Sequence, residues 1–210
     1  MEKLDLKKQF KEFYKPSAKK VSVVEVPRFN FAMVGGTVHH GEKPAEAPEY
    51  QQALQILYGI SYTLKFASKK RSENPIDYTV MALEGLWWFA GKEFDFQWDQ
   101  DLHFTSMIMQ PDHITYEMFE SALTELGRKK PELVLDKLRF ESFEEGLCAQ
   151  IMHIGPYTEE PATVQKLKDF VKDNGYQFNG KHHEIYLSDP RRTAPEKLKT
   201  ILRYPVRKAA

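Results

Sequence analysis

Two periods of apolar and polar residues alternate along this 210-residue chain, and the switches between them mark out its elements. Residues 1–27 form an arm, charged at first with apolar contacts at Leu4, Leu6, Phe10 and Phe13 and then β-branched from Val21 to Val26. A strand or extended approach there should stop at Pro27, which has no N–H for a ladder. Phe29 to His40 reads as a strand, with Gly35-Gly36 suggesting a bulge or sharp bend. Past the Pro-rich connector Lys43 to Pro48, the spacing of Ala53, Leu54, Leu57, Ile60, Leu64 and Ala67 predicts a helix reaching about Lys70. Asp77 to Trp88 and Leu102 to Gln110 read as strands.

Thr115 to Lys130 is predicted as a helix with Phe119, Ala122, Leu123 and Leu126 on one side, and basic residues at the end where the macrodipole favours them. The pattern then returns: a strand from Glu145 to Ile154, a turn at Gly155-Pro156, and a helix opened by Pro161. That helix carries Val164, Leu167, Phe170 and Val171 and is closed by Gly175. His182 to Ser188 and Lys199 to Val206 supply two more strands. The chain thus reads as α+β, two strand–helix–strand–strand modules at 28–111 and 139–210 joined by a linker helix at 112–138. Three local matches support a duplication. Thr37-Val38-His39-His40-Gly41 matches Ile151-Met152-His153-Ile154-Gly155, Leu83-Glu84-Gly85-Leu86 matches His183-Glu184-Ile185-Tyr186, and Ser106 to Pro111 matches Thr200 to Pro205.

Composition narrows the function. The chain is 41% hydrophobic and 29% charged, which suits a folded domain, and its 30 basic and 30 acidic side chains cancel. A protein that neutralises phosphates carries a basic excess or face; Lys69-Lys70-Arg71 and Arg128-Lys129-Lys130 lie at element ends, where solvated caps explain them. Nucleic acid is not an expected partner. A single cysteine, Cys148, excludes an internal disulfide and reads as a small buried hydrophobe. The N-terminal stretch lacks a signal peptide's apolar core and no apolar run reaches bilayer length, so the expected location is the cytoplasm, away from membranes. The oligomeric state is not written in these patterns.

No metal or cofactor is expected. His39-His40 and His182-His183 are adjacent pairs on predicted strands, where neighbours face opposite ways and cannot chelate one ion. No zinc motif, phosphate loop, dinucleotide fingerprint or nucleophile elbow occurs. The informative stretch is His182 to Pro190, which as a strand sets His182, Glu184, Tyr186 and Ser188 on one face. Alternation alone leaves open whether that face is solvated or turned inward. The surplus of large aromatics without helical core roles, Trp87, Trp88, Trp98, Tyr157, Tyr186 and Tyr204, favours an inward face, because a ring-walled cavity with one carboxylate suits a planar or cationic ligand.

His153-Ile154-Gly155-Pro156-Tyr157 with its following helix, Asn174-Gly175-Tyr176, Glu184-Ile185-Tyr186-Leu187 and Leu202-Arg203-Tyr204-Pro205 together resemble the GyrI-like small-molecule-binding domain, the effector-binding domain of bacterial multidrug-sensing activators. The resemblance is strongest over 145–206 and fainter over 28–111. It implies antiparallel sheets joined around a central pocket, with the family's pocket glutamate at Glu184 and a lining residue at Tyr186. No helix-turn-helix segment is present, so the chain resembles free-standing members. Glu84-Gly85-Leu86-Trp87-Trp88 is similar to the subgroup that hydrolyses cyclopropane-bearing DNA-alkylating natural products. That likeness implies Glu184 as base, Tyr186 or Tyr204 as donor, and Trp88, Trp87, Glu84 and Tyr157 as ligand contacts. Trp88 is preferred over Trp87 as the stacking wall, since Trp88 shares a face with Glu84 and that face is expected to align with the face of Glu184. The enzyme reading stands beside two others: a non-catalytic module that sequesters hydrophobic, often cationic drugs, and an inhibitor that binds a topoisomerase.

Overall fold

The computed structural model describes residues 3–96 and 99–209, so Trp98 lies outside the described residues. In chain order, α1 (Leu6–Gln9) and α2 (Lys11–Tyr14) form the arm and β1 (Ser22–Val38), α3 (Pro48–Lys69), β2 (Leu83–Trp88) and β3 (Leu102–Gln110) the first half. After α4 (Tyr116–Lys129) come β4 (Leu138–Ile154), α5 (Glu160–Asp173), β5 (Tyr176–Phe178), β6 (His182–Tyr186) and β7 (Lys199–Lys208). The α+β class holds. All pairings between these strands are antiparallel, in the order β4-β1-β3-β2-β6-β7-β5, and β4 also pairs with β7. That extra pairing joins β4, at one end of the order, to β7 and closes β4, β1, β3, β2, β6 and β7 into a ring, with the short β5 as an edge outside it.

Each half has the same wiring, β1-β3-β2 against β4-β7-β6, and like strands meet at both seams, β1 on β4 and β2 on β6. The residue matches do not agree with one another, however. Taking Glu84 for Glu184 would make Met107 the counterpart of Leu202, one residue beyond its sequence match, and would set matched residues on opposite faces, since Glu84 pairs with Ile185. Local similarity is blind to such shifts, whereas ladder register is fixed by which face is buried.

β1 runs unbroken through Pro27, correcting the expected stop. Pro27 falls opposite Glu145, between the paired positions Val26–Gly146 and Arg28–Glu144. Nor does the Gly35-Gly36 pair form a bulge; the β1–β3 register is continuous across it. Gly36 is there for space, since a Cβ would lie 2.6 Å from the Phe104 ring and 2.8 Å from the Glu49 carboxylate. The kink sits in the partner strand. Gly146 has φ +71°, and Glu145 and Gln150 on either side of it both contact Arg203 although they stand five positions apart. Strict alternation would point them to opposite faces, so Gly146 resets the side-chain parity of β4.

The predicted strand from Asp77 begins only at Leu83, because Leu4 of the arm takes the intervening backbone: Leu4 N donates to Asp77 O at 2.9 Å and Thr79 N to Leu4 O at 2.8 Å. α4 is capped by Thr115, which accepts from Met118 N at 3.2 Å, and packs on α3 at Gly59, where a Cβ would come within 3.0 Å of Leu126. α3 covers β1 and β3, and α5 covers β4, β5 and β7. Cys148 is fully buried and its thiol is pushed up by burial. Among the described residues no helix is long and apolar enough to cross a membrane.

Candidate ligand site

Alternation along β6 sends successive residues to opposite sides of the sheet, and the ladders carry those sides across its neighbours. Gly85 pairs with Glu184 and Trp87 with His182; Leu202 pairs with Glu184 and Thr200 with Tyr186. The outer side at the β2–β6 seam therefore holds His182, Glu184, Tyr186, Trp87, Thr200 and Tyr204, between the half covered by α3 and the half covered by α5. Gly85 leaves room there: a Cβ would lie 2.8 Å from Trp87 Nε1.

Glu184, 8% exposed, has Oε1 2.8 Å from His182 Nε2. Trp87 Nε1 donates to the Tyr186 hydroxyl at 3.1 Å. Burial, then the nearby Glu184 carboxylate, pushes the Tyr186 phenol well up; burial and the same carboxylate raise Tyr204 and Tyr50. Rings close the surroundings. Phe94 stacks on His182 at 4.2 Å, Tyr204 lies 4.8 Å from it, Tyr157 meets Tyr186 edge-on at 6.0 Å, and Tyr50 lies 5.2 Å from Trp87.

Against this well-made wall stand atoms with no partner. His182 Nδ1, Tyr204 Oη, Thr200 Oγ1 and Glu160 Oε1 are all buried without a hydrogen bond. Buried polar atoms are paired in the large majority of cases, so this group singles the residues out as the candidate site, although Ser106 Oγ and His183 Nε2 are without a hydrogen bond as well.

Of the residues singled out in the sequence, Glu184, Tyr186, Tyr204, Tyr157 and Trp87 come together here. Glu84 and Trp88 do not, and the preference for Trp88 is corrected: the β2–β6 register gives Trp87, not Trp88, the face of Glu184. Trp88 instead carries Lys181 Nζ 3.3 Å above its ring. Equivalent strands meeting at a two-fold-like seam, offset by one position, put Glu84 and Glu184 on opposite sides. Glu84 is in the interior, where it accepts from Tyr14 Oη at 2.8 Å and lies 3.1 Å from His183. Sequence reasoning missed His182 as a partner of Glu184, although the alternation put both on one face. It also missed Glu160, whose only signal is its place just after the Gly155-Pro156-Tyr157 turn.

Two cavities, of about 10 and 130 Å³, lie elsewhere, the smaller beside Glu84 and Arg203 and the larger under the arm between Phe10 and His113. Glu184 lines neither, and both fall short of the roughly 300–1,000 Å³ of a drug-sized site.

An antiparallel duplicated sheet with Glu184 set among aromatic rings at its seam suits a small-molecule-binding domain. The chain belongs to the GyrI-like small molecule binding domain family, whose model matches residues 19–207. It is similar to an uncharacterized conserved protein from Listeria innocua, at 42% identity over 98% of this chain and 100% of the other, with a TM-score of 0.88. A hydrolase from Listeria innocua is 40% identical over the same shares, with a TM-score of 0.82. The C-terminal domain of EcmrR, 13% identical over 90% of this chain and 98% of its own, has a TM-score of 0.54 and shares the fold. No curated protein matches the chain.

Proposed function

We propose that the outer site binds bulky planar aromatic molecules and opens an activated cyclopropane by adding water, a detoxifying hydrolysis. The observation that carries this reading is Glu184, nearly buried, oriented by His182 at 2.8 Å and ringed by aromatic side chains whose nearby polar atoms are unpaired. Support comes from the 40% identical Listeria innocua protein described as a hydrolase. In a cyclopropane fused to a dienone, attack on the ring carbon breaks a strained C–C bond while the carbonyl becomes a phenolate. Glu184 takes the proton of the attacking water, Trp87 and Tyr157 flank the flat polycycle, and a nearby donor meets the oxygen where charge develops. General acid–base assistance of this kind is worth roughly 10²–10⁴ in rate, enough for a strained electrophile. Access for such a ligand requires the Phe94 and Tyr157 rings to part.

A second reading, sequestration of lipophilic cations, has the same carboxylate among rings in its favour. Glu184→Gln separates them. With a cyclopropane-dienone compound, read by mass for the gain of one water, the hydrolase loses about 10²–10⁴ in turnover while still binding the flat substrate. A sequestering module yields no product in the wild type, and the same change weakens cations while sparing neutral ligands.

A further inference from the structure

Glu160 opens α5 and is 2% exposed, with Oε1 making no hydrogen bond. From β7 the Thr200 hydroxyl lies against it, outside hydrogen-bond geometry. From β6 it faces Glu184 and Tyr186, from β7 Tyr204, and from the preceding turn Tyr157, each sensing its charge or imposing its own. No cation is among the groups acting on it. A helix N-terminus favours an ionised carboxylate. Here burial, and then the second carboxylate at Glu184, outweighs that preference and pushes Glu160 up to about 9. Two carboxyl groups share one closed site, and only one is hydrogen-bonded to a histidine.

We infer that Glu160 is the site's proton donor, a neutral carboxylic acid that hydrogen-bonds the carbonyl oxygen of a flat ligand and protonates it as charge develops there. This rests on the hydrolase reading for its chemical step, though not for its binding step. In the step, a water O–H gives its proton to Glu184 as the oxygen bonds to the cyclopropane carbon. The C–C bond breaks, its electron pair enters the ring, and the dienone oxygen takes the proton of Glu160. Substrate plus water becomes an alcohol bearing a phenol. Glu184 leaves the step protonated and Glu160 ionised, and exchange with solvent on product release restores both. The division of labour follows from environments that set two carboxyls apart. It also displaces the phenols of Tyr186 and Tyr204, which burial makes poorer acids than Glu160.

The test compares wild type with Glu160→Gln, isosteric and neutral as the acid is. One measurement is turnover of a cyclopropane-dienone compound against pH; the other is affinity for acridone, a flat aryl ketone with no cyclopropane. The expected wild type loses rate and acridone affinity above about pH 9. Glu160→Gln, whose amide still donates a hydrogen bond, keeps acridone affinity at pH 7 within a few-fold and loses the alkaline limb. Its turnover falls by about 10²–10³. Tyr157, held up to about 12, titrates beyond this range. His183, inside the sheet, titrates at about 9 as well; a limb that persists in Glu160→Gln belongs to it and overturns the assignment, as does unchanged turnover. If the wild type opens no such compound, the hydrolase reading falls. The acridone limb then decides alone: present in wild type and absent in Glu160→Gln supports Glu160 as donor, and absent in wild type overturns it.

Discussion

On the inner side of β6, His183 has Glu145 at 2.9 Å and Glu84 at 3.1 Å, while on the outer side its neighbour His182 has Glu184 at 2.8 Å and an Nδ1 with no partner. The inner histidine belongs to a connected network. Tyr14 donates to Glu84, Arg203 reaches Glu145 at 3.2 Å, Gln150 at 3.0 Å and the Phe13 carbonyl at 2.6 Å, and all of it lies beneath the arm. Two carboxylates, an imidazolium and a guanidinium balance there. Burial alone would neutralise His183, yet Glu145 and Glu84 hold it up to about 9; burial opposes the charge of Glu145, and His183 and Arg203 bring it down to about 2. The outer side is also buried and carries the opposite arrangement, two carboxyls and, among the described residues, no Lys or Arg acting on Glu160. Similar residues one position apart thus make a charge-balanced network on one side and a pair of facing carboxyls on the other. What separates them is charge: Glu145 has His183 and Arg203 against it, whereas Glu160 has Glu184.

If that contrast is right, breaking the inner side changes stability and breaking the outer side changes chemistry. Arg203→Leu leaves Glu145, Gln150 and a carbonyl stranded in the interior and should cost about 3–5 kcal/mol, read as a lower denaturant midpoint. A loss below about 1 kcal/mol would show that the network does not hold the arm in place.

The pH dependence is smaller and sharper. His183, raised on folding, contributes stability fully present below about 6.5 and lost as pH rises through about 9. Glu160, a carboxyl raised on folding, binds a proton in the folded state that the unfolded chain has released, so it too lowers stability as pH rises, from about 4.5 to about 9. Wild type should therefore lose stability between pH 7 and 9 more steeply than Glu160→Gln, by on the order of 1 kcal/mol per pH unit. The slope left in Glu160→Gln reports the inner side. Equal slopes would mean that Glu160 is not held neutral by the fold.

The smallest effects concern the tryptophans. Trp87→Phe removes the donor to Tyr186 and should cost about 1 kcal/mol in stability while weakening acridone. Trp88→Leu loses the cation–π contact of Lys181, about 0.5–1 kcal/mol, and should leave acridone affinity unchanged. Reversal of that pair would restore Trp88 to the site.

Much of the architecture was legible because it is periodic. The stripe from Ala53 to Leu64 and the run Leu102–Gln110 carry their faces in their spacing, and the structure has α3 and β3 there. Legible too was that His182, Glu184 and Tyr186 share a face and that His183 does not, since alternation is a local property of extended backbone. Which tryptophan joins them was not. The facing of Trp87 and Trp88 depends on how β2 registers against β6, about 100 residues away, and a slip of one residue inverts the answer.

The chain by itself determined the α+β class, the duplicated order of elements and the strand that carries Glu184, because propensity, periodicity and turn chemistry act between near neighbours. Tertiary structure alone decided that Glu84 and Glu184 part company across the seam, that the arm closes over a buried ion network, and that Glu160, 24 positions before Glu184, faces it inside one site. Those outcomes rest on the pairing of distant strands and on which buried polar atoms find partners. Both are set when the sheet closes.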